Sequence, residues 1–407
     1  MPISRRSLLR LAAAGVAIAP QPAMAERTAQ AGDDPLGVRP DFPVTSEDGI
    51  YLDSAYIGPI PKSVAAAGAT FLSSKSTRPI SLPEMQAKAD RVREQFARLV
   101  NASPEEIGLL SATSEGENLV AGALDLKPGD NVVIDELHYQ TEFVLFRQLE
   151  ARRGIELRIA KQRGGAVDAS AVEPLVNRRT RLLSVALVSH QNGYRHDLKS
   201  LADLAHAHGA WLYTDAIQAV GAVAIDVRAS GVDALCSGTY KWLHGGFGVA
   251  PFYVRRELLD RFALDRWGAL HVERAHPGYR FDIFETAKKF EYATLAFGAV
   301  YQLGAALEYL EKVGVGRIEA HTTALAAQLQ QGLRQRGFEV LTPTGTRSPI
   351  VAFRVPGDTA AARTSLETAQ VKVSFRENGT QMRVSPALFN TARDIDRFLA
   401  SVERLSR

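Results

Sequence analysis

The chain has 407 residues, with 48 Lys and Arg against 45 Asp and Glu, a net charge of +3, and 46% hydrophobic residues. That composition excludes a disordered or fibrous chain, and the length calls for two domains. One cysteine, Cys236, excludes an internal disulfide and a cysteine-rich metal site.

The first segment reads as an address. Ser4-Arg5-Arg6-Ser7-Leu8-Leu9-Arg10 leads into an apolar run from Leu11 to Ala19, and Pro20, Pro22 and Ala23-Met24-Ala25 follow. A charged start, a short apolar stretch and a small-residue pattern make a secretory signal. The apolar run falls well short of the roughly 20 residues that span a bilayer. The Arg5-Arg6 pair resembles a twin-arginine signal, with Leu8 where Phe is commoner and Arg10 where Lys is commoner. Cleavage after Ala25 and a periplasmic mature protein are expected. Such systems carry proteins already folded, often with a cofactor inside. Arg5, Arg6 and Arg10 account for the whole net charge, so residues 26–407 are formally neutral and the charge points to no acidic partner.

Residues 26–48 are rich in Pro, Asp and Gly and read as linker. Periodicity predicts helices over 83–100, 140–153 and 198–208, and apolar runs predict strands at 131–134, 182–188, 210–213 and 234–236. This alternation predicts an α/β fold with a mostly parallel sheet covered on both faces. Strands at 338–341 and 350–355 suggest a smaller α+β domain. The expected organisation is an N-terminal arm over 26–60, a large domain over 61–299 and a small C-terminal domain over 300–407. No later stretch of 18 apolar residues predicts a membrane span.

Ligands of open parallel sheets bind beyond the carboxyl ends of the strands. Here those ends read Asp135-Glu136-Leu137-His138-Tyr139, Ser189-His190-Gln191-Asn192-Gly193, Thr214-Asp215 and Ser237-Gly238-Thr239-Tyr240-Lys241. Four polar ends in series suggest a site. Thr113-Ser114-Glu115-Gly116-Glu117-Asn118 opens a helical run. Hydroxyls there are ordinarily caps, but a helix start also holds phosphate. No P-loop lysine and no G-x-G-x-x-G is present, so a nucleotide is not the obvious phosphate. Lys241 lies between Tyr240 and Trp242, and a desolvated lysine loses its proton readily and can form a Schiff base. A carboxylate such as Asp215 for a pyridine nitrogen, plus a Schiff-base lysine, is what pyridoxal phosphate requires of a protein.

Four motifs in this order, Ala112–Asn118, Thr214-Asp215-Ala216-Ile217-Gln218, Tyr240-Lys241-Trp242-Leu243 and Arg383-Val384-Ser385-Pro386, resemble the class V aminotransferases. These are pyridoxal-phosphate enzymes of fold type I, with cysteine desulfurases and isopenicillin N epimerase among them. The resemblance implies that Lys241 carries the cofactor and shuttles the Cα proton, and that Asp215 pairs with the pyridine nitrogen. It places Gln218 near the ring's phenolic oxygen, His190 near the usual Asn there, and Tyr139 stacked on the ring. Thr113 and Ser114 would hold the phosphate, with Thr239 or Tyr240 helping. Thr294 would reach the phosphate of a neighbouring subunit, which implies a homodimer. Arg383 would bind the substrate carboxylate, since a guanidinium fits a planar anion.

Desulfurases need a mobile cysteine before that arginine, and residues 374–382 contain none. The stretch, with Ser374 and Arg376, is closer to the epimerase and aminotransferase branches. The expected function is an exported aminotransferase acting on an amino-acid-like substrate, with a secondary metabolite or siderophore one candidate. Epimerisation, thiol-independent C–S cleavage and a non-catalytic binding protein stay open. Arg152-Arg153 and Arg178-Arg179 lack interleaved aromatics and give no nucleic-acid patch, and the histidines have no zinc spacing.

Overall fold

A computed structural model describes residues 34–46, 48–357 and 359–403. The expected signal, residues 1–25, lies outside them.

A two-residue strand, β1 (Ile50–Tyr51), precedes the seven strands of the central sheet. These are β2 (Ile107–Leu110), β3 (Asn131–Asp135), β4 (Glu156–Ala160), β5 (Thr180–Ala186), β6 (Trp211–Asp215), β7 (Ala234–Cys236) and β8 (Ala250–Val254). Their order across the sheet is β2-β8-β7-β6-β5-β3-β4. Pairings among β4, β3, β5, β6 and β7 are parallel, and β8 runs antiparallel to both its neighbours. The sheet is covered on both faces, so its strands are buried along their length except at the edge strand β4, where Glu156 is exposed. Val133, Leu183 and Leu212 enter one apolar cluster, while Val132, Leu182 and Tyr213 enter the other. This is the period-2 alternation of a two-sided sheet. Because the strands are parallel, the ends of β3, β5, β6 and β7 reach one edge together.

A hairpin, β9 (Val272–His276) and β10 (Arg280–Ile283), follows the sheet and leaves Tyr279 fully exposed. The C-terminal region holds β11 (Val351–Arg354), β12 (Val371–Lys372), β13 (Ser374–Arg376) and β14 (Gln381–Val384). An antiparallel sheet of order β11-β14-β13 packs with the helices Val315–Gln335, Thr359–Thr368 and Ala392–Glu403 around a third apolar cluster. In the last helix Ile395, Phe398, Leu399 and Val402 form the buried stripe. The predicted strand at 338–341 is absent. Only a bridge joins Val340 to Phe353, because the Thr342 hydroxyl takes the Ala352 amide at 2.8 Å. That side chain replaces a ladder bond.

β1 pairs in parallel with β12, and Ile50 and Leu52 lie in the C-terminal core. The chain then crosses to the large domain. The Gly58 amide donates to Tyr240 O at 2.8 Å, and His244 Nδ1 donates to Pro59 O at 2.8 Å. Only glycine fits at position 58, where a Cβ would stand 1.8 Å from the Lys241 carbonyl oxygen. Residues 50–61 thus join the two cores beside Lys241.

Candidate active site

The edge at the strand ends forms a cavity of ≈ 270 Å³ walled by Ala55, Tyr56, Ile57, Tyr139, His190, Tyr240, Lys241, Phe247, Arg376 and Arg383. Lys241 is buried, and its ammonium has no hydrogen-bond partner among the described residues. Burial lowers its pKa to about 8, against the pull of Asp215, and Arg383 and Arg376 push the same way as burial. Asp215 is buried next to Lys241 rather than on the cavity wall. Burial lifts it to about 6, opposed by the Ile217 amide, which donates to its Oδ1 at 2.9 Å, and by Lys241.

Tyr139 and His190 meet edge to face in the cavity, with ring centroids 5.2 Å apart. His138 turns away from it. The Tyr139 amide donates to His138 Nδ1, and His138 Nε2 lies 3.3 Å from Ser184 Oγ inside the sheet. His190 Nδ1 is buried without a partner, and burial together with Arg376, Arg383 and Lys241 drives its pKa down to about 2. The imidazole is therefore neutral.

Arg383 is brought in by β14. Its Nη1 donates to His190 O at 2.9 Å, its Nη2 donates to Ser374 Oγ at 3.2 Å, and Asp53 lies 3.7 Å away. Its Nε is buried and unpaired. Burial lowers the guanidinium to about 10, and it stays charged.

The other expected site residues lie off this wall. Thr113 opens the helix Thr113–Ala123, and its hydroxyl accepts from the Gly238 amide at 2.9 Å. Ser114 lies 3.3 Å from the Thr141 hydroxyl and lines an adjoining hollow with Ser111, Asn118 and Arg266. Ala112 stands at the N-cap with no side-chain acceptor, and the Glu115 amide turns back to the Ala112 carbonyl at 3.1 Å, which leaves the Thr113 and Ser114 amides for an anion. The Thr239 hydroxyl is committed to the carbonyls of Gly246 and Val249. The Gln218 amide is held at both ends, accepting from Trp242 Nε1 at 2.8 Å and donating to Ala55 O at 2.9 Å. Thr294 is exposed and outside its own chain's cavity. Sequence reasoning assigned no site role to Asp53, Phe247 or Arg376. The alternation Ser374-Phe375-Arg376 signals Arg376, since it puts Ser374 and Arg376 on one face.

Comparison with known proteins identifies the family. The sequence profile of the family "Aminotransferase class-V" matches residues 50–398. A cysteine desulfurase of Klebsiella pneumoniae subsp. pneumoniae is 30% identical over 398 residues, covering 91% of this chain and 98% of the relative. The apo structure of a cysteine desulfurase from Thermococcus onnurineus NA1 superposes with a TM-score of 0.82 at 25% identity, covering 91% of this chain and 98% of that one. A cystine C–S lyase in complex with its product, cysteine persulfide, superposes with a TM-score of 0.83 at 19% identity, covering 89% and 99%. A variant of that lyase carries glycine covalently linked to its pyridoxal-phosphate cofactor. The fold is that of the fold-type I pyridoxal-phosphate enzymes. The chain belongs to the class V aminotransferase family.

The residues present fit the cofactor of that class. They supply a partnerless buried amine, a buried carboxylate beside it, an uncapped helix start and aromatic walls. Cys236 is no candidate nucleophile. It is fully buried in β7 against Gly116, and burial raises its thiol far above the usual range.

Proposed function

We propose that this chain is a pyridoxal-phosphate enzyme that labilises the Cα proton of an α-amino acid and acts as an aminotransferase. The observation that carries the reading is Lys241: an amine of lowered pKa, without a partner, in one cavity with Arg383. Pyridoxal phosphate, when bound, supplies the sink for the electrons left at Cα. Lys241 Nζ takes and returns the proton at Cα, and its lowered proton affinity makes that exchange feasible near neutral pH. Arg383 orients the substrate through its carboxylate. Asp215 holds a positive charge at the pyridine nitrogen. Tyr56, Tyr139 and Phe247 narrow the mouth of the cavity against water.

A second reading, C–S cleavage by direct β-elimination, is favoured by the names of the relatives and by the lack of a thiol on the cavity wall. Products separate the two. With loaded enzyme and L-amino acids, transamination yields a 2-oxo acid and stoichiometric pyridoxamine phosphate before any acceptor is added. Pyruvate with sulfide from cysteine, or pyruvate with cysteine persulfide from cystine, with the cofactor retained as pyridoxal phosphate, would replace the first reading by the second. Solvent deuterium at Cα with neither product would leave an epimerase.

Two further parts of the proposal concern the whole protein. The Arg5-Arg6 pair and the Ala23-Met24-Ala25 pattern support twin-arginine export to the periplasm. Periplasmic fractions should hold the wild type but not an R5K/R6K double variant, and equal amounts in both would reject the route. A homodimer is supported by the exposure of Thr294 and of the large apolar side chains Trp267, Tyr279 and Phe281.

A further inference from the structure

The cavity holds two guanidinium groups, and the chain supplies an anion for only one. Arg383 has Asp53 at 3.7 Å and the acceptors His190 O and Ser374 Oγ. Arg376 forms no hydrogen bond and no ion pair among the described residues, yet it is half-buried in the same wall. Its place follows from strand register. On β13, Ser374 and Arg376 share one face, while Phe375 packs toward the C-terminal core. On β14 their partners are Arg383 and Gln381. Gln381 Nε2 donates to Gln191 O at 2.8 Å, so this face looks onto the loop that follows β5.

Charge makes that placement costly without a ligand. Lys241, Arg376 and Arg383 are on the wall together, and no carboxylate is among the residues that form it. Asp53 is engaged by the Ser374 hydroxyl at 2.5 Å as well as by Arg383, and Asp215 is buried beside Lys241. The helix start at Thr113, which suits a phosphate, is not on this wall, so a cofactor phosphate there leaves Arg376 uncompensated. A bound α-carboxylate satisfies Arg383. It does not satisfy both arginines.

We infer that the substrate carries a second anionic group, a carboxylate or an acid of equal charge beyond Cβ, held by Arg376 while Arg383 holds the α-carboxylate. This inference rests on the reading of the cavity as an α-amino-acid site, and it makes Arg376 the residue that selects acidic over neutral amino acids.

The test is calorimetric titration of the loaded enzyme, at fixed ionic strength, with the unreactive diacids succinate, glutarate and adipate and with the matching monoacids. At least one diacid binds about tenfold tighter or more than its monoacid, the worth of one charged hydrogen-bonded pair. In R376Q that ratio falls to near one, and in R376K it is largely retained. In turnover, R376Q raises KM for glutamate about tenfold or more while KM for glutamine changes little. No diacid preference in the wild type overturns the inference. So does an equal loss for diacids and monoacids in R376Q, which would make Arg376 a second ligand of the α-carboxylate. If the protein takes up no pyridoxal phosphate, the proposed function fails. The same titration on that protein still decides the anion site.

Discussion

Asp215 and Lys241 are both buried, and each moderates the other's proton affinity. Their pKa values, about 6 and about 8, define a window for cofactor capture. Capture needs Lys241 neutral, a fraction that grows as pH rises through about 8, and Asp215 ionised, a fraction lost as pH falls through about 6. The rate at which apo-protein develops the cofactor's visible band should therefore climb from pH 6 to 8 and level off above. A flat profile would mean that neither group governs capture. Asp215→Asn should remove the acid limb and weaken retention, and Lys241→Ala should abolish the band. At this scale much of the site was legible in the sequence. Lys241 stands between two aromatics, and Asp215 ends an apolar strand. What was hidden depends on bonds to distant segments. Gln218 is held by Ala55, 163 residues away, and the orientations of His138 and Tyr139 are set by Ser184 and the cavity.

Among the elements, the helix Thr113–Ala123 starts without the side chain that would cap it best. An N-cap favours Ser, Thr, Asp or Asn, yet Ala112 occupies it in extended conformation, with no side-chain bond to the first turn. Ala112→Asp should stabilise the apo-protein by about 1 kcal/mol in chemical denaturation. The same carboxylate would repel a phosphate, so affinity for pyridoxal phosphate should drop by about tenfold or more. Tighter binding of the cofactor by that variant would remove the helix start from the phosphate site. The helix at 198–207 was readable from periodicity, because Leu198, Leu201, Ala202 and Ala205 form one buried side, whereas Gln140–Arg153 buries only Glu142 and Phe146. The region 338–341 was not, because its β-like composition is outweighed by a hydroxyl that takes the neighbouring strand's amide.

On the scale of the whole molecule, the alternation of helix and strand revealed the class of fold, but not the partner surfaces. Trp267 and Tyr279 are exposed on and beside the hairpin, and a second copy of the chain would cover them. Sedimentation equilibrium at micromolar concentration should return the mass of two chains, and a one-chain mass would end the dimer proposal. The segment 50–61 has a further consequence, in the order of folding. Asp53 waits for Ser374, 321 residues later, and Leu52 accepts from Ser385, 333 residues later. Contacts of that span form slowly and only when the far partner exists. A ribosome-bound chain lacking its last strands can complete the central sheet, but it cannot seat β1 or bring Arg383 to the cavity. The Arg383 side of the cavity thus comes into being only after the central sheet, and a nascent chain has an incomplete cavity until synthesis is nearly over.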